Sequence, residues 1–261
     1  MRRESLILAV LTFFLVVPLV VGQTATPLPF TMRVQQANSV LNVADGATIT
    51  MPADAIGIAS TAVLTVTYRG TTTTSSATLN TVDFSGSLDF TVSGIPELPL
   101  NMTPGQSFAL NIQYKPSNSQ RNSARVAFSY VEGRTVAGFG LNLSGTAPEF
   151  AFSYVPQGGN ATIIAPSGTI PYPVTPVNTT VNASFVVTNR GTGAGVVNAI
   201  TVSGGAEFQL AGLPLPATSV DAGKDLRFTV SFTPKQLPAV RGLLSIVFVD
   251  SAVAFILEGS G

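Results

Sequence analysis

Cysteine, histidine and tryptophan are absent from this chain of 261 residues. Without cysteine there is no disulfide, no thiolate metal site and no lipidated cysteine. Without histidine the commonest general base and the commonest zinc ligand are missing as well. A nucleophilic triad would then have to recruit a lysine. Lys115, Lys224 and Lys235 are the only lysines, and all three fall on strand or turn positions. Charge is scarce too. Charged residues make up 10% of the chain, where an average domain has about 25%. The formal net charge is zero, so there is no basic field to hold a polyanion, and nucleic acid is not an expected partner. These absences argue against an enzyme and supply no catalytic, cofactor-binding or metal-ligating residue.

What remains is apolar and turn-rich. Hydrophobic residues make up 45%, with 24 glycines and 18 prolines. Together with abundant Thr, Ser and Val, that is the composition of strands and tight turns on a neutral surface. Residues 1–22 read as a secretory signal: Arg2 and Arg3 form a charged start, and Leu6 to Val21 is an apolar run broken by Thr12 and Pro18. The alternative is a retained membrane anchor, although the run falls short of the ~20 residues a spanning helix needs. The residues after the arginine pair do not complete a twin-arginine motif. Secretion, the periplasm or the cell surface is the expected destination, and no membrane span is expected in the mature chain unless the signal is kept as an anchor.

The mature chain says nearly the same thing twice. Phe90 to Pro116 aligns without a gap to Phe208 to Pro234. Phe90 meets Phe208, Gly94 meets Gly212, Pro96 meets Pro214, Gly105 meets Gly223, Tyr114 meets Phe232, and Pro116 meets Pro234. Within the cassette, Phe108, Leu110, Ile112 and Tyr114 alternate with polar or small residues, as do Leu226, Phe228, Val230 and Phe232. This period of two marks strands of a sheet covered on one face. Upstream, Ala62, Leu64 and Val66 share a face and lead to Tyr68-Arg69-Gly70; Val181, Ala183, Phe185 and Val187 lead to Asn189-Arg190-Gly191. Downstream, each half closes with an apolar hairpin ending Leu143-Ser-Gly145 or Leu257-Glu-Gly259. Asp250 interrupts the last hairpin, which rules out a C-terminal membrane helix. Short strands, frequent turns and no helical period predict an all-β protein of two tandem immunoglobulin-like β-sandwich domains after an N-terminal signal peptide. The expected divisions are 1–22, 28–147 and 148–261, with seven or eight strands per domain and a short link at Thr146-Ala147-Pro148-Glu149.

This ordered pattern of Arg-Gly turn, Gly-x-Pro, Pro-Gly or Ala-Gly turn, Phe/Leu-x-Leu/Phe-x-Ile/Val-x-Tyr/Phe-x-Pro and Leu-x-Gly resembles the Hydin-like (ASH) immunoglobulin-like domain. Bacterial surface proteins carry that domain as the choice-of-anchor D repeat, and it is similar in fold to major sperm protein and to the first domain of pilus chaperones. The resemblance covers nearly all of residues 28–261, twice, and its motif residues are structural. It implies an extracellular adhesion, scaffold or spacer module that binds a protein or polysaccharide of the cell envelope. The alternative it leaves open is a periplasmic chaperone-like binder that accepts a client strand at a sheet edge. Fold alone does not decide between them.

Several residues invite a site reading. Asp83 with Asp89, and Asp221 with Asp225, flank turns and are candidate calcium ligands, although turn chemistry explains them as well. Arg69 and Arg190 occupy the same place in both halves, either as surface anchors for a carboxylate or as caps whose stems cover apolar surface. Tyr68, Tyr154 and Tyr172 are candidate platforms for sugar rings. The Thr71–Ser76 run reads as a solvated loop or a site of O-linked sugar. Asn101, Asn142, Asn160, Asn178 and Asn182 stand in Asn-x-Ser/Thr contexts.

Overall fold

The computed structural model describes residues 28–70, 72, 75–212, 217–249 and 251–261. The signal segment expected at 1–22, Pro214 and Asp250 lie outside the described residues. The first domain is built from β1 (Phe30–Gln36), β2 (Ser39–Val43), β3 (Thr48–Pro52), β4 (Ser60–Tyr68), β5 (Ala77–Gly86), β6 (Phe90–Ser93), β7 (Leu100–Met102), β8 (Ser107–Tyr114), β9 (Asn122–Glu132) and β10 (Thr135–Thr146). The second follows with β11 (Phe150–Pro156), β12 (Thr162–Ile164), β13 (Thr169–Pro171), β14 (Val181–Asn189), β15 (Gly195–Val197), β16 (Ala199–Ser203), β17 (Phe208–Ala211), β18 (Thr218–Val220), β19 (Asp225–Phe232), β20 (Val240–Val247) and β21 (Ala252–Gly259).

Each domain is two sheets face to face. In the first the orders are β2-β1-β4-β8-β6 and β3-β10-β9-β5-β7; in the second they are β12-β11-β14-β19-β17 and β13-β21-β20-β16, with a short β15-β18 ribbon. Taking β1, β4, β8 and β6 as strands A, B, E and D, and β5, β9 and β10 as C, F and G, the sheets have the immunoglobulin-like order. The N-terminal segment serves both sheets. β1 pairs antiparallel with β4, and β3 then runs parallel to β10; β11 and β13 repeat this against β14 and β21.

The predicted alternation is present. Leu110, Ile112 and Tyr114 are buried between exposed Ala109, Asn111 and Gln113, and Leu226, Phe228, Val230 and Phe232 are buried in the second copy. One core runs from Phe30 to Ala147 and a separate one from Phe152 to Leu257. The Thr103-Pro104-Gly105 turn closes with a Gln106 amide to Thr103 carbonyl bond of 3.0 Å, and Gly105 takes a φ of 92°, the geometry for which glycine is needed. Strand number departs from the expectation of seven or eight. The described residues form ten and eleven strands, because the first strand is divided between two sheets, β2 and β12 are added as hairpin arms, β7 and β18 pair beside strand C, and strand C is interrupted in the second domain. That interruption grows out of a bulge: β5 shifts register against β9 between Leu79 and Thr81, and the equivalent Asn198 separates β15 from β16 outright.

The terminal Leu-x-Gly motif has a packing cause. A Cβ on Gly145 would lie 2.2 Å from the Tyr114 ring, and one on Gly259 would lie 2.5 Å from the Phe232 ring. Those rings are themselves packed on Phe90 and Phe208 at 4.7 and 4.9 Å. The motif's phenylalanine, its aromatic before proline and its last glycine therefore form one contact across the sandwich, made twice.

Candidate functional site

The paired carboxylates do not converge. Asp83 accepts a hydrogen bond from Thr81 Oγ1 at 2.8 Å. Asp89 instead accepts from the Ser117 amide at 3.1 Å and from Asn122 Nδ2 at 2.5 Å, tying two loops together. Asp225 accepts from Thr188 Oγ1 at 2.7 Å and from Arg227 at 2.6 Å. The Thr188 hydroxyl, helped by the guanidinium, holds its carboxyl below the usual range. The Asp221 backbone carbonyl closes its turn by accepting from the Lys224 amide. Among the described residues no group of three or more acidic, histidine or cysteine side chains is placed to hold a metal.

The sugar-platform reading of the tyrosines is overturned by burial. Tyr68, Tyr154 and Tyr172 are core residues. The Tyr172 hydroxyl donates to the Val230 carbonyl at 2.9 Å, and burial pushes its pKa far above the ordinary tyrosine value. The Tyr68 hydroxyl bonds Ser75 Oγ at 3.0 Å and Glu132 Oε1 at 2.7 Å, which anchors part of the Thr/Ser-rich loop; Thr71, Thr73 and Thr74 lie outside the described residues. Arg69 and Arg190 recur for a backbone reason. Their amides donate to the Pro29 and Glu149 carbonyls, both at 2.7 Å, clamping the start of each domain, while both side chains are exposed. Of the five sequons, Asn101, Asn160, Asn178 and Asn182 are exposed, whereas Asn142 is half-buried and donates to the Gly46 carbonyl.

Two features were not foreseen. The first is a repeated open edge. Among the described residues β2 and β12 end their sheets, each hydrogen-bonded on one side only, to β1 and β11. Neither strand carries a charge or a proline, so those edge-protecting residues are missing from both, although β12 is only three residues long. Val40 and Leu41 on β2 are 43% and 55% exposed, and Ile163 on β12 is 76% exposed. The Ala37-Asn38 turn before β2 contains no glycine, and Ala37 takes a φ of 44°, so the sequence offers little beyond Asn38 to announce this hairpin.

The second is the joint between the domains. The Thr192 and Gly193 amides both donate to the Ala147 carbonyl, at 2.9 and 3.1 Å. Thr192 Oγ1 donates to the Ser119 carbonyl at 2.8 Å, and Ser119 Oγ donates to the Glu149 carboxylate. Buried Asn189 completes the weld. Its Nδ2 donates to Gly193 and Val220 carbonyls, each at 2.8 Å, and its Oδ1 accepts from the Glu149 and Gly191 amides. The backbone comes so close that a Cβ on Gly191 would lie 2.4 Å from the Ala147 carbonyl oxygen. Beside the joint is a groove of about 370 Å³ to which Asp54 to Ile56 contribute from the first domain and Phe150, Pro166 and Phe248 from the second.

No family model matches the sequence, and no curated protein matches it. Among solved structures, the C-terminal domain of the Streptococcus agalactiae AgI/II polypeptide BspA is similar over 89% of this chain and 100% of its own, at 11% identity and a TM-score of 0.34. The ASH/PapD-like domain 7 of human CEP192 is similar over 52% of this chain and 97% of its own, at 15% identity and a TM-score of 0.30. A chain of the CsuC-CsuE chaperone-tip adhesion subunit complex of Acinetobacter baumannii is similar over 82% of this chain and 96% of its own, at 10% identity and a TM-score of 0.28. Likenesses at this level carry no functional argument.

Proposed function

We propose that this chain is a non-catalytic structural and adhesion module, exported to the envelope or beyond, that holds a protein or polymer partner on a rigid two-domain body. The observation that carries this reading is the open, uncharged edge formed by β2 and repeated by β12. An extended segment laid along such an edge gains main-chain hydrogen bonds, and side chains such as Leu41 add apolar contact. The same edge suits the chaperone-like alternative, in which the segment is a client's strand.

One experiment tests both. Tagged residues 23–261 and a Val40→Lys/Leu41→Lys variant are mixed with the host's envelope and secreted fractions. A partner retained by the parent and lost by the variant supports edge binding. If that partner is a protein held one to one, the chaperone-like reading gains; wall or polysaccharide material supports the adhesive module. Equal retention by both proteins refutes the edge as the binding surface, and no partner at all leaves a spacer whose function is its length.

A further inference from the structure

The surfaces that meet at the domain joint occur twice in this chain, and only one pair of them is used within it. The receiving surface of the second domain is the groove lined by Pro148, Pro166, Phe248 and Ser251. At the opposite end of the first domain lies a groove of about 670 Å³ lined by Leu28, Pro29, Asp45, Tyr130, Thr135 and Ala137. The two are the same place in the repeat. Pro29 and Glu149 both accept from the arginine amide that follows strand B. Gly46 and Ser167, next to Asp45 and Pro166, take φ values of 73° and 67°, and both donate to the G strand, at Gly140 and Ala254.

The inserted surface recurs as well. In the joint it is Asp54 to Ile56 together with Ser119. At the far end of the second domain, Thr175 to Val177 and Leu237 are equivalent. The Gly57 and Asn178 amides donate to the Pro116 and Pro234 carbonyls at 2.8 and 2.9 Å, and the Ile58 and Thr179 amides close matching turns onto Ala55 and Pro176. Three residues beyond each of those prolines stand Ser119 and Leu237. Ile56 thus has its counterpart in Val177, 36% exposed, and Ser119 in Leu237, 73% exposed.

The differences between the copies are matched. Within the chain, Ser119 meets Glu149, a polar pair. At the two outer ends the same positions hold apolar residues, exposed Leu237 and buried Pro29, the latter beside half-buried Leu28 at the groove. A change on one surface is answered by a change of the same kind on the other. We infer that the chain associates head to tail with a second copy of itself, Val177 and Leu237 of one copy seating in the groove beside Pro29 of the next. Such a contact joins unlike surfaces and leaves one of each free, so it propagates as an open string unless the rotation closes a ring. It uses neither β2 nor β12, so it stands apart from the edge proposed above.

The test is sedimentation velocity of the full chain, purified as the cell leaves it, over a range of concentrations, with Thr135→Arg in the head groove and Val177→Arg at the tail. The expected result is a sedimentation coefficient that keeps rising with concentration for the parent and for Leu41→Lys, and that stays at the monomer value for each arginine variant alone. Mixed in equal amounts, the two arginine variants form a dimer and nothing larger, because the intact tail of Thr135→Arg seats in the intact head of Val177→Arg. A parent that stays monomeric, association that survives both arginine variants, association lost with Leu41→Lys, or a mixture that forms no dimer each overturns the inference.

Discussion

Replacing Gly145 by alanine adds one methyl group at a point where the geometry leaves no room for it. The new Cβ would lie 2.2 Å from the ring of Tyr114, more than an ångström inside normal carbon contact. Tyr114 has nowhere to go: it is fully buried and packed on Phe90 at 4.7 Å. Overpacking of this kind costs about 1–3 kcal/mol, and the upper end applies because backbone meets a hemmed-in ring. Gly145 has no left-handed φ, so alanine meets no backbone strain, and the lower entropy of the unfolded chain returns about 0.4–1 kcal/mol. The expected net loss is about 2 kcal/mol, confined to the first domain. Urea unfolding followed by far-UV circular dichroism measures it, since the chain has no tryptophan for fluorescence. Tyr114→Leu supplies the partner for a double-mutant cycle: the two changes together should cost less than their sum by more than about 1 kcal/mol. Strict additivity, or a Gly145→Ala protein as stable as the parent, would falsify the contact as the reason for the motif.

Two further outcomes follow from the second domain. Asn189→Ala strips four hydrogen bonds from the joint and should cost about 3 kcal/mol, since several partners are left buried and unpaired; amide exchange at Thr192 and Gly193 should accelerate, and unchanged exchange there would show that the joint does not depend on this side chain. Tyr172 is kept neutral by burial, its pKa raised in the folded state, so its contribution is fully present below the unfolded tyrosine value of about 10 and is lost as pH rises beyond it; Tyr172→Phe should flatten the alkaline fall in stability of this domain, and an unchanged alkaline profile counts against the assignment.

Much of the fold was legible because it is written in local pattern. Phe108 to Tyr114 and Leu226 to Phe232 alternate, prolines stop them, and glycines mark their turns, so strand, face and boundary all follow from adjacent residues. The same halves reveal the repeat. Contacts between distant residues were not legible. Gly145 could be read as recurring, but not as the seat of Tyr114, because they meet only when the sheets close. The tyrosines misled for a related reason: a ring on a strand serves equally as core or platform, and only the opposing sheet decides. β2 and β12 went unseen because a strand exposed on both faces has no alternation to show. The joint was visible only as a short link. The hydrogen bonds that span it come from Asn189, Thr192 and Ser119, none adjacent to it in sequence.

The parallel pairing of β3 with β10 decides how the molecule bears a load. Tension applied between the ends of the first domain pulls the start of β3 and the end of β10 in opposite directions along their common axis. Five residue pairs, Thr48 with Asn142 through Pro52 with Thr146, then resist in shear and have to give way together, not one at a time as in a peeled hairpin. The second domain opposes the same pull with three pairs, Thr169 with Ile256 through Pro171 with Glu258. Under tension the two sandwiches are therefore unequal springs: the second yields first and lengthens, and the first keeps its shape.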